Sequence, residues 1–470
     1  MKCRVYILMC LACLSMGACK TPQGVATQSV AQTTLPLSTN DSLRQTVQLP
    51  WREFFKDADL ACLIDTALKN NQDLKITVQE LAVARSGILF QRGQLLPSVS
   101  AGMSIGANKV GRYTSEGAGN VGTMLTDKHV IPDVMTDFHP GVQLDWDVDI
   151  WSKLSAQKKS AVENYLATEE GRRMVTAQLI ADVAENYYQL LALDNKLDLI
   201  HRYIALQKKA VALAQIQKEA DADTQLAVEK FKAELAKASS NEFSLRQEIV
   251  ERENAINLLL GRYPCAVHRD KGKWYVLNLP QIAKVVPAKL LLNRPDVMQA
   301  EHQLKATNWD VEAARKEFLP SLNISADLGL DAFNPKYLLD LPKSLAFGIV
   351  GGLTAPLINK KAIEANYQKA TALQLEALYN YDKTLLSAYS ETCTQLAKIQ
   401  NLNRYFSLKE EENMSLQKSV EVARQLYMNN RATYLDVLDS ERNALDAQMD
   451  LIDTRLSQLS TLVEIYKGLM

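Results

Sequence analysis

The stretch Val142-Gln143-Leu144-Asp145-Trp146-Asp147-Val148-Asp149-Ile150 alternates apolar and polar residues at every step. This period of two is typical of a β-strand with one apolar and one polar face. The polar face carries three carboxylates, Asp145, Asp147 and Asp149, which would line the lumen if the strand belongs to a barrel wall. A sheet in a soluble protein, with one face on a core and one in water, alternates in the same way. The pattern of this one strand therefore leaves both interpretations open.

Three further stretches alternate likewise, and the sequence predicts two strand pairs, at 97–108 with 140–151 and at 320–330 with 344–357. Each strand has about ten residues, the length that crosses a bilayer when tilted, and the apolar faces include small residues that offer little to a core. Four strands cannot close a barrel. Bacterial outer-membrane barrels have an even number of strands and no free edge, so twelve strands from three chains is the smallest plausible arrangement. The strands thus predict a homotrimer.

The two strand pairs belong to two copies of one unit. Asp73 precedes Pro97 by 97 − 73 = 24 positions, and Asp296 precedes Pro320 by 320 − 296 = 24. A second match, at an offset of 207 positions, joins three residues to three others: Gly141, Ile150 and Lys153 to Gly348, Leu357 and Lys360. Self-similarity of this kind indicates tandem structural repeats. We predict a first repeat at 51–262, a linker at 263–290 and a second repeat at 291–470.

Each repeat ends in a long helical hairpin, predicted at 152–261 and at 359–467. Neither stretch contains proline, and apolar residues recur at intervals of three and four. Turns are expected near 220–224 and 428–432, and Thr433 followed by Asp436 resembles a capping box. Helices of ~60 residues would extend ~90 Å, longer than a globular core needs. Such helices must bury their apolar stripes on one another, within the hairpin and across subunits.

The N-terminus resembles an export signal. Lys2 and Arg4 precede an apolar stretch at 5–14, which is shorter than a membrane-spanning helix. The following Met16-Gly17-Ala18-Cys19 resembles a bacterial lipobox, so residues 1–18 are predicted to be a lipoprotein signal peptide and 19–50 a linker lipidated at Cys19. The alternative is an ordinary signal peptide with an incidental cysteine. Acyl chains on Cys19 would hold the chain at a lipid surface.

Composition excludes several classes of function. The 470 residues are 47% hydrophobic with a formal net charge of −1, which excludes disorder and removes the basic field that nucleic-acid binding needs. The cysteines and histidines show neither a disulfide framework nor metal-ligand spacing. We find no nucleophile elbow, phosphate loop or paired carboxylates tied to a cleft, so no enzyme activity, metal or cofactor is expected.

Several motifs, taken in their order and spacing, resemble the TolC-like outer membrane efflux proteins, and among them the lipidated OprM/NodT type that serves resistance-nodulation-division (RND) pumps. The resemblance covers nearly the whole mature chain. It rests on the following segments: Trp51-Arg52-Glu53-Phe54-Phe55, Asn70-Asn71-Gln72-Asp73-Leu74, 144–153, Asn293-Arg294-Pro295-Asp296-Val297, Phe318-Leu319-Pro320-Ser321, 434–442 and 459–467.

The resemblance implies an α+β membrane protein with two tandem repeats. Three copies would form a twelve-stranded β-barrel in the outer membrane of a Gram-negative bacterium, continued into the periplasm by a twelve-helix tunnel. Small molecules such as drugs would enter from an inner-membrane RND transporter and a periplasmic adaptor protein. The resemblance also implies that the hairpin turns close the tunnel. The implied gate residues are Tyr427, Leu435, Asp439 and Arg442, and Asp221 and Asp223 are our own addition at the first turn.

A physical hypothesis supports a gate at these turns. Three Asp439 carboxylates, one per subunit, would repel one another and could be held by Arg442 or other basic partners. On this hypothesis Asp439→Ala would leak small ions or dyes. The alternative is that Asp436, Asp439 and Arg442 form a solvated helix face. Asp145, Asp147 and Asp149 could favour cations in the lumen or be an ordinary wetted barrel interior.

Two other functions are compatible with parts of the sequence. A duct for type I protein secretion would share the same architecture. An envelope-spanning structural protein or adhesin would share the signal and the long helices but lack the duplicated strand pairs.

Overall fold

The computed structural model describes residues 50–126, 129–221, 224–275, 291–355, 360–429 and 431–468. The described chain is mostly helical with one four-stranded antiparallel sheet, which confirms the α+β class. It forms two compact units. The sheet unit comprises Val83–Leu166 and His302–Leu378, and the helical unit comprises the described residues up to Ala82, Ala167–Glu301 and those from Tyr379 onward.

The elements follow one another in this order: α1 Trp51–Phe54, α2 Ala58–Asn70, α3 Gln72–Gln94, β1 Ser98–Asn108, α4 Ser115–Asn120, β2 Met124–Thr126, β3 His129–Val130, β4 Met135–Val148, α5 Lys153–Glu219, α6 Gln225–Leu259, α7 Pro295–Lys316, β5 Ser321–Leu330, β6 Leu345–Thr354, α8 Lys360–Met428 and α9 Tyr434–Lys467.

The four predicted strands form one sheet in the order β1-β4-β5-β6, so β1 and β6 are its edges. β4 begins at Met135 rather than at 140, because its first residues continue to pair with β1 as far as Asn108. It ends at Val148 rather than at 151. There Asp149 turns to the following helix, where its carboxylate accepts hydrogen bonds from the backbone N–H groups of Leu154 (2.9 Å) and Ser155 (2.8 Å).

Neither face of β1 is covered by the described residues, since every residue of the strand is exposed. The apolar face of β6 is equally open, with Phe347 76% and Ile349 77% exposed. A sheet in a soluble protein would bury these side chains against a core. The described residues of this chain therefore supply no core for the apolar face of the sheet. The loop between β1 and β4 contains the short helix α4 and the β2–β3 hairpin.

The helical hairpins turn where the sequence predicted, but their two helices differ in length. α5 and α8 have 67 and 69 residues, whereas α6 and α9 have only 35 and 34. α6 is short because Gly261 follows it in the left-handed conformation (φ 63°), where a Cβ would lie 2.7 Å from the carbonyl oxygen of Asn70. Among the described residues, no helix is long and apolar enough to cross a membrane.

The main core of the helical unit surrounds Tyr187 on α5. Leu60 and Ile64 of α2, Leu190 of α5 and Val463 of α9 are fully buried there. The aromatic motif near residue 51 completes this core. Phe54 and Phe55 pack on Tyr466 with ring centroids 4.6 and 5.2 Å away, respectively. The N-terminal helices are thus packed firmly against the two hairpins.

Candidate functional site at the hairpin turns

The two hairpin turns lie in the helical unit and have defined caps. At the second turn, Thr433 and Asp436 form the predicted capping box: the Thr433 hydroxyl accepts from Asp436 N (3.4 Å) and the Asp436 carboxylate accepts from Thr433 N (2.7 Å). The Thr433 hydroxyl also donates to the Asp436 carboxylate at 2.7 Å, and this bond, together with the one from Thr433 N, lowers the pKa of Asp436. At the first turn Thr224 caps α6, and its hydroxyl accepts from Ala227 N (3.4 Å).

A charged contact joins α6 to α9 near these turns. Arg442 donates to the carboxylate of Glu234, from Nε at 2.8 Å and also from Nη2. Only 4% of the Glu234 side chain is exposed, whereas Arg442 is 47% exposed. Tyr203 on α5 donates a third hydrogen bond to the same carboxylate at 3.3 Å. Burial and the neighbouring carboxylates raise the pKa of Tyr203 well above its usual range, so it stays a hydrogen-bond donor.

A second charged contact joins α8 to α9. Arg424 donates to Oε1 of Glu441 from Nε (2.8 Å) and from Nη2 (2.5 Å). Gln207 on α5 donates to Oε2 of the same carboxylate at 2.7 Å, and the Glu441 side chain is 4% exposed. A buried carboxylate that loses its only cation carries an uncompensated charge, which is costly. The two arginine–glutamate contacts therefore join α6, α8 and α9, and α5 is tied to them through the hydrogen bonds of Tyr203 and Gln207.

Apolar contacts surround the two charged contacts. Tyr427 is 8% exposed and packs with Ala423 and Val437, which joins α8 to α9. Phe231 of α6 lies against Tyr434 with ring centroids 6.4 Å apart. Parting these helix ends would expose apolar surface as well as break the charge pairs.

The other predicted gate residues lie at the surface of this region. Leu435 is 52% exposed, and Asp439 is exposed with Asn443 donating to its carboxylate at 3.2 Å. Asp221 takes the left-handed conformation in the first turn (φ 53°), and Asp223 falls outside the described residues. The structure thus brings Tyr427 and Arg442 into the packed region. It pairs Arg442 with Glu234, and Asp439 adds a weaker electrostatic interaction with the same guanidinium group.

Sequence reasoning missed the two buried carboxylates. Glu234 and Glu441 lie within ordinary helical sequence, Lys232-Ala233-Glu234-Leu235 and Ser440-Glu441-Arg442, where charged residues usually face water. Their arginines are on other helices, so no spacing along the chain indicates the pairs. The available signal was that each lies at the apolar interval of its helix: Glu234 three residues after Phe231, and Glu441 three after Leu438.

The three strand carboxylates divide into two groups. Asp145 and Asp147 are exposed on β4, and Ser325 of the adjacent β5 donates to Asp145 at 2.8 Å. Asp149 lies one residue beyond β4 and caps α5 as described above. Cys19, the predicted lipidation site, lies outside the described residues. In the described part of the chain, no group of three histidine, cysteine, aspartate or glutamate side chains is arranged to hold a metal ion.

Comparison with known proteins identifies the family. The model of the outer membrane efflux protein family matches residues 63–262 and 286–469, which is most of the chain in two segments. The chain belongs to the outer membrane efflux protein family. The two matched segments are consistent with the tandem repeats seen in the sequence.

Curated relatives resemble the chain over nearly its full length. It is 26% identical to the cation efflux system protein CusC of Escherichia coli K12 over 89% of this chain and 88% of that protein. It is 27% identical to the solvent efflux pump outer membrane protein SrpC of Pseudomonas putida (89% and 86%). It is 28% identical to the pyoverdine export outer membrane protein OpmQ of Pseudomonas aeruginosa (97% and 95%).

Solved structures show the same fold. A membrane protein from Pseudomonas aeruginosa superposes with a TM-score of 0.82 at 23% identity, covering 96% of this chain and 100% of that one. A structure of CusC gives 0.82 at 24% identity (96% and 99%). The Campylobacter jejuni CmeC outer membrane channel gives 0.79 at 21% identity (89% and 87%). The fold is therefore TolC-like.

Family membership and fold together establish the class of function. The protein is an outer-membrane channel that serves as the exit duct of an efflux system, and it is not an enzyme. Among the functions that the sequence left open, the family and its relatives favour efflux.

Proposed function

We propose that three copies of this chain assemble into one duct. Each copy contributes four strands to a twelve-stranded barrel in the outer membrane and four helices to a twelve-helix periplasmic tunnel. The observation that supports the trimer is the uncovered four-stranded sheet, whose two edges and apolar face have no partner among the described residues. Closure removes both edges, and lipid covers the apolar face.

The duct would work with two further proteins and a lipid anchor. An inner-membrane RND transporter supplies the cargo, and a periplasmic adaptor docks at the hairpin turns. Cys19, acylated after removal of residues 1–18, anchors the chain in the outer membrane. Relatives of similar identity are named for cations, solvents and pyoverdine, so similarity does not select a cargo. We propose small molecules as the class and assign the choice among them to the pump.

The gate, in this proposal, is held by the two arginine–glutamate contacts. Arg442–Glu234 fixes α9 to α6, and Arg424–Glu441 fixes α9 to α8. Opening must separate at least one of these pairs. An adaptor that offers new partners to Arg442 or Arg424 would lower the cost of that separation. Asp439 and Leu435 on the exposed side, with Asp221 and Asp223 at the first turn, are the surfaces such an adaptor would contact.

Conductance of the purified protein in planar lipid bilayers tests this gate. Glu234→Gln and Glu441→Gln keep the side-chain volume but remove the charge that each arginine faces. We expect each to raise the mean conductance several-fold over the wild type, because the closed arrangement loses a buried charge pair. The double variant should open further than either single one.

Glu229→Gln is the matched control. Glu229 is also on α6 near the turn, but its partners Gln225 and Lys232 belong to the same helix. We expect wild-type conductance from it. Conductance that is equal in wild type, control and both buried-carboxylate variants, with all of them equally folded by circular dichroism, would contradict the proposed gate.

A further inference from the structure

The internal duplication carries information about the contact between copies. Within one chain β4 pairs with β5, which is the junction between the two repeats. If copies join in a ring, β6 of one copy meets β1 of the next. Like the β4–β5 pair, this contact joins the second strand of one repeat to the first strand of the following repeat. The contact inside the chain is therefore a template for the contact between chains.

The template predicts a register. The first strand of each repeat is offset by 320 − 97 = 223 positions, and the second by 348 − 141 = 207. In the chain, Gly141 of β4 lies opposite Gly329 of β5. Adding 207 to the number of Gly141 gives Gly348, and subtracting 223 from the number of Gly329 gives Gly106. Both positions hold glycine again, as the template requires.

The glycine pair has a steric reason inside the chain. A Cβ on Gly141 would lie 3.2 Å from Cα of Gly329, and a Cβ on Gly329 would lie 3.0 Å from Cα of Gly141. Both distances are shorter than ordinary contacts, so the two backbones approach closely only because neither residue has a side chain.

The template predicts a register only to within two residues. Copying the Gly102–Gly141 pair of the first hairpin would place Ser325 opposite Gly348, whereas Asp327 is found there. A shift of one residue between copies is excluded, because it would put the apolar face of one copy beside the polar face of the next. Three registers remain, in which Gly348 faces Gly106, Ser104 or Asn108. Only the first also places Gly352 opposite Gly102.

Gly102 and Gly352 support that choice independently. A Cβ on either glycine would meet nothing within 4 Å in the isolated chain. The described residues of one copy therefore give no steric reason for glycine at either position. There is such a reason if the two face each other across the junction, at the same spacing from Gly106 and Gly348.

The helices next to the strands show the same missing neighbour. In the second repeat, α7 lies between two helices of its own chain: His302 contacts Glu163 of α5 at 2.7 Å, and Asn308 contacts Gln374 of α8 at 2.8 Å. Ala306 and Ala313 of α7 are 2% and 4% exposed. The positions that correspond to them in the first repeat are Val83 and Phe90 of α3, which are 72% and 64% exposed.

We propose that β1 of one copy pairs antiparallel with β6 of the next, with Gly106 opposite Gly348 and Gly102 opposite Gly352, and that α8 of the next copy covers Val83 and Phe90. This inference rests on the proposed trimer and adds to it the surfaces that meet and their register. In this register Ser104 lies opposite Val350, and Ile105 opposite Ile349.

Disulfide trapping in outer membranes tests the register. In a chain with Cys62, Cys265 and Cys393 changed to serine, Ser104→Cys is combined in turn with Val350→Cys, Gly348→Cys or Gly352→Cys. Directly opposite residues lie within disulfide reach, whereas residues displaced by two positions lie beyond its optimum. We expect Ser104→Cys with Val350→Cys to give covalent dimer and trimer on non-reducing gels, about tenfold more than either displaced combination.

Two features of the sheet make the result unambiguous. β1 and β6 are separated by two strands within a chain, ~14 Å apart, so no disulfide between them forms inside one copy. Asp145→Cys with Ser325→Cys is the control, since these residues are directly opposite in one chain and should crosslink without forming dimers.

Dominant crosslinking in a displaced combination overturns the register but keeps the trimer. A trimer by mass that crosslinks in no combination overturns the β1–β6 junction, and a monomer overturns the proposed function itself.

Discussion

A single lysine joins three parts of the helical unit near the N-terminus. Lys273 contacts Asp57 at 2.8 Å and Asp59 at 2.6 Å, and Tyr187 of α5 donates to Asp57 at 2.7 Å. The Asp57 side chain is 2% exposed. Burial by itself would raise the pKa of Asp57, but Lys273, Tyr187 and the backbone N–H of Asp59 outweigh it and lower the pKa.

The sign of this shift predicts an acid-sensitive contact. A carboxyl whose pKa is lowered by folding stabilises the native state above its unfolded pKa of about 3.9, and that contribution is lost as the pH falls through its folded pKa. Thermal unfolding of wild type and Asp57→Asn should therefore differ at pH 7 and converge as the pH falls through the lowered pKa of Asp57. Asp65→Asn, which removes an exposed pair with Arg52, should lower the unfolding temperature little at either pH. Parallel pH profiles for wild type and Asp57→Asn would contradict this role.

At the residue scale the sequence was informative only for contacts close along the chain. The Thr433–Asp436 box was visible because its two members are three positions apart. Glu234 and Arg442, or Asp57 and Lys273, lie on segments that only the fold brings together. Asp149 shows a related limit, because strand alternation placed it with Asp145 and Asp147, while its bonds to Leu154 and Ser155 depend on where the helix starts.

At the element scale, the two hairpin turns differ in how firmly their returning helices begin. α9 starts with the reciprocal capping box, whereas α6 has only the Thr224 hydroxyl, because its third residue is Ala227. Thr433→Ala should let the first-turn amides of α9 exchange with solvent roughly fivefold faster in hydrogen exchange measured by mass spectrometry. Thr224→Ala should have a smaller effect on α6. Equal changes at both turns would show that the additional bond from the Thr433 hydroxyl to the Asp436 carboxylate adds nothing.

The elements themselves were predictable, and the reasons are physical. The alternation of the strands and the helical spacing of apolar residues in the long proline-free stretches are strong periodic signals. The structure accordingly contains all four predicted strands of the sheet and both predicted helical hairpins. The boundaries were less accurate. β4 extends back to Met135 because pairing with β1 overrides the weaker alternation there. By contrast, α6 ends at Leu259, close to the predicted end of the hairpin at 261, where Gly261 takes the left-handed conformation.

At the scale of the whole molecule, the proposed duct is a ring of three identical chains, each anchored by a lipid. Cys19→Ser should abolish incorporation of labelled palmitate while leaving the barrel in the outer membrane, because the barrel inserts through its own apolar face. Membrane fractionation with radiolabelled fatty acid checks both outcomes. Palmitate incorporation that persists in Cys19→Ser would contradict lipidation at this residue.

The proposed trimer can be checked by the mass of the mature protein. The protein is extracted from membranes in a mild detergent, and light scattering gives the protein mass after subtraction of the bound detergent. We predict three times the mass of one mature chain, since twelve strands from three chains is the smallest closed barrel that the four strands of each copy are expected to form. A stable monomer would contradict the account.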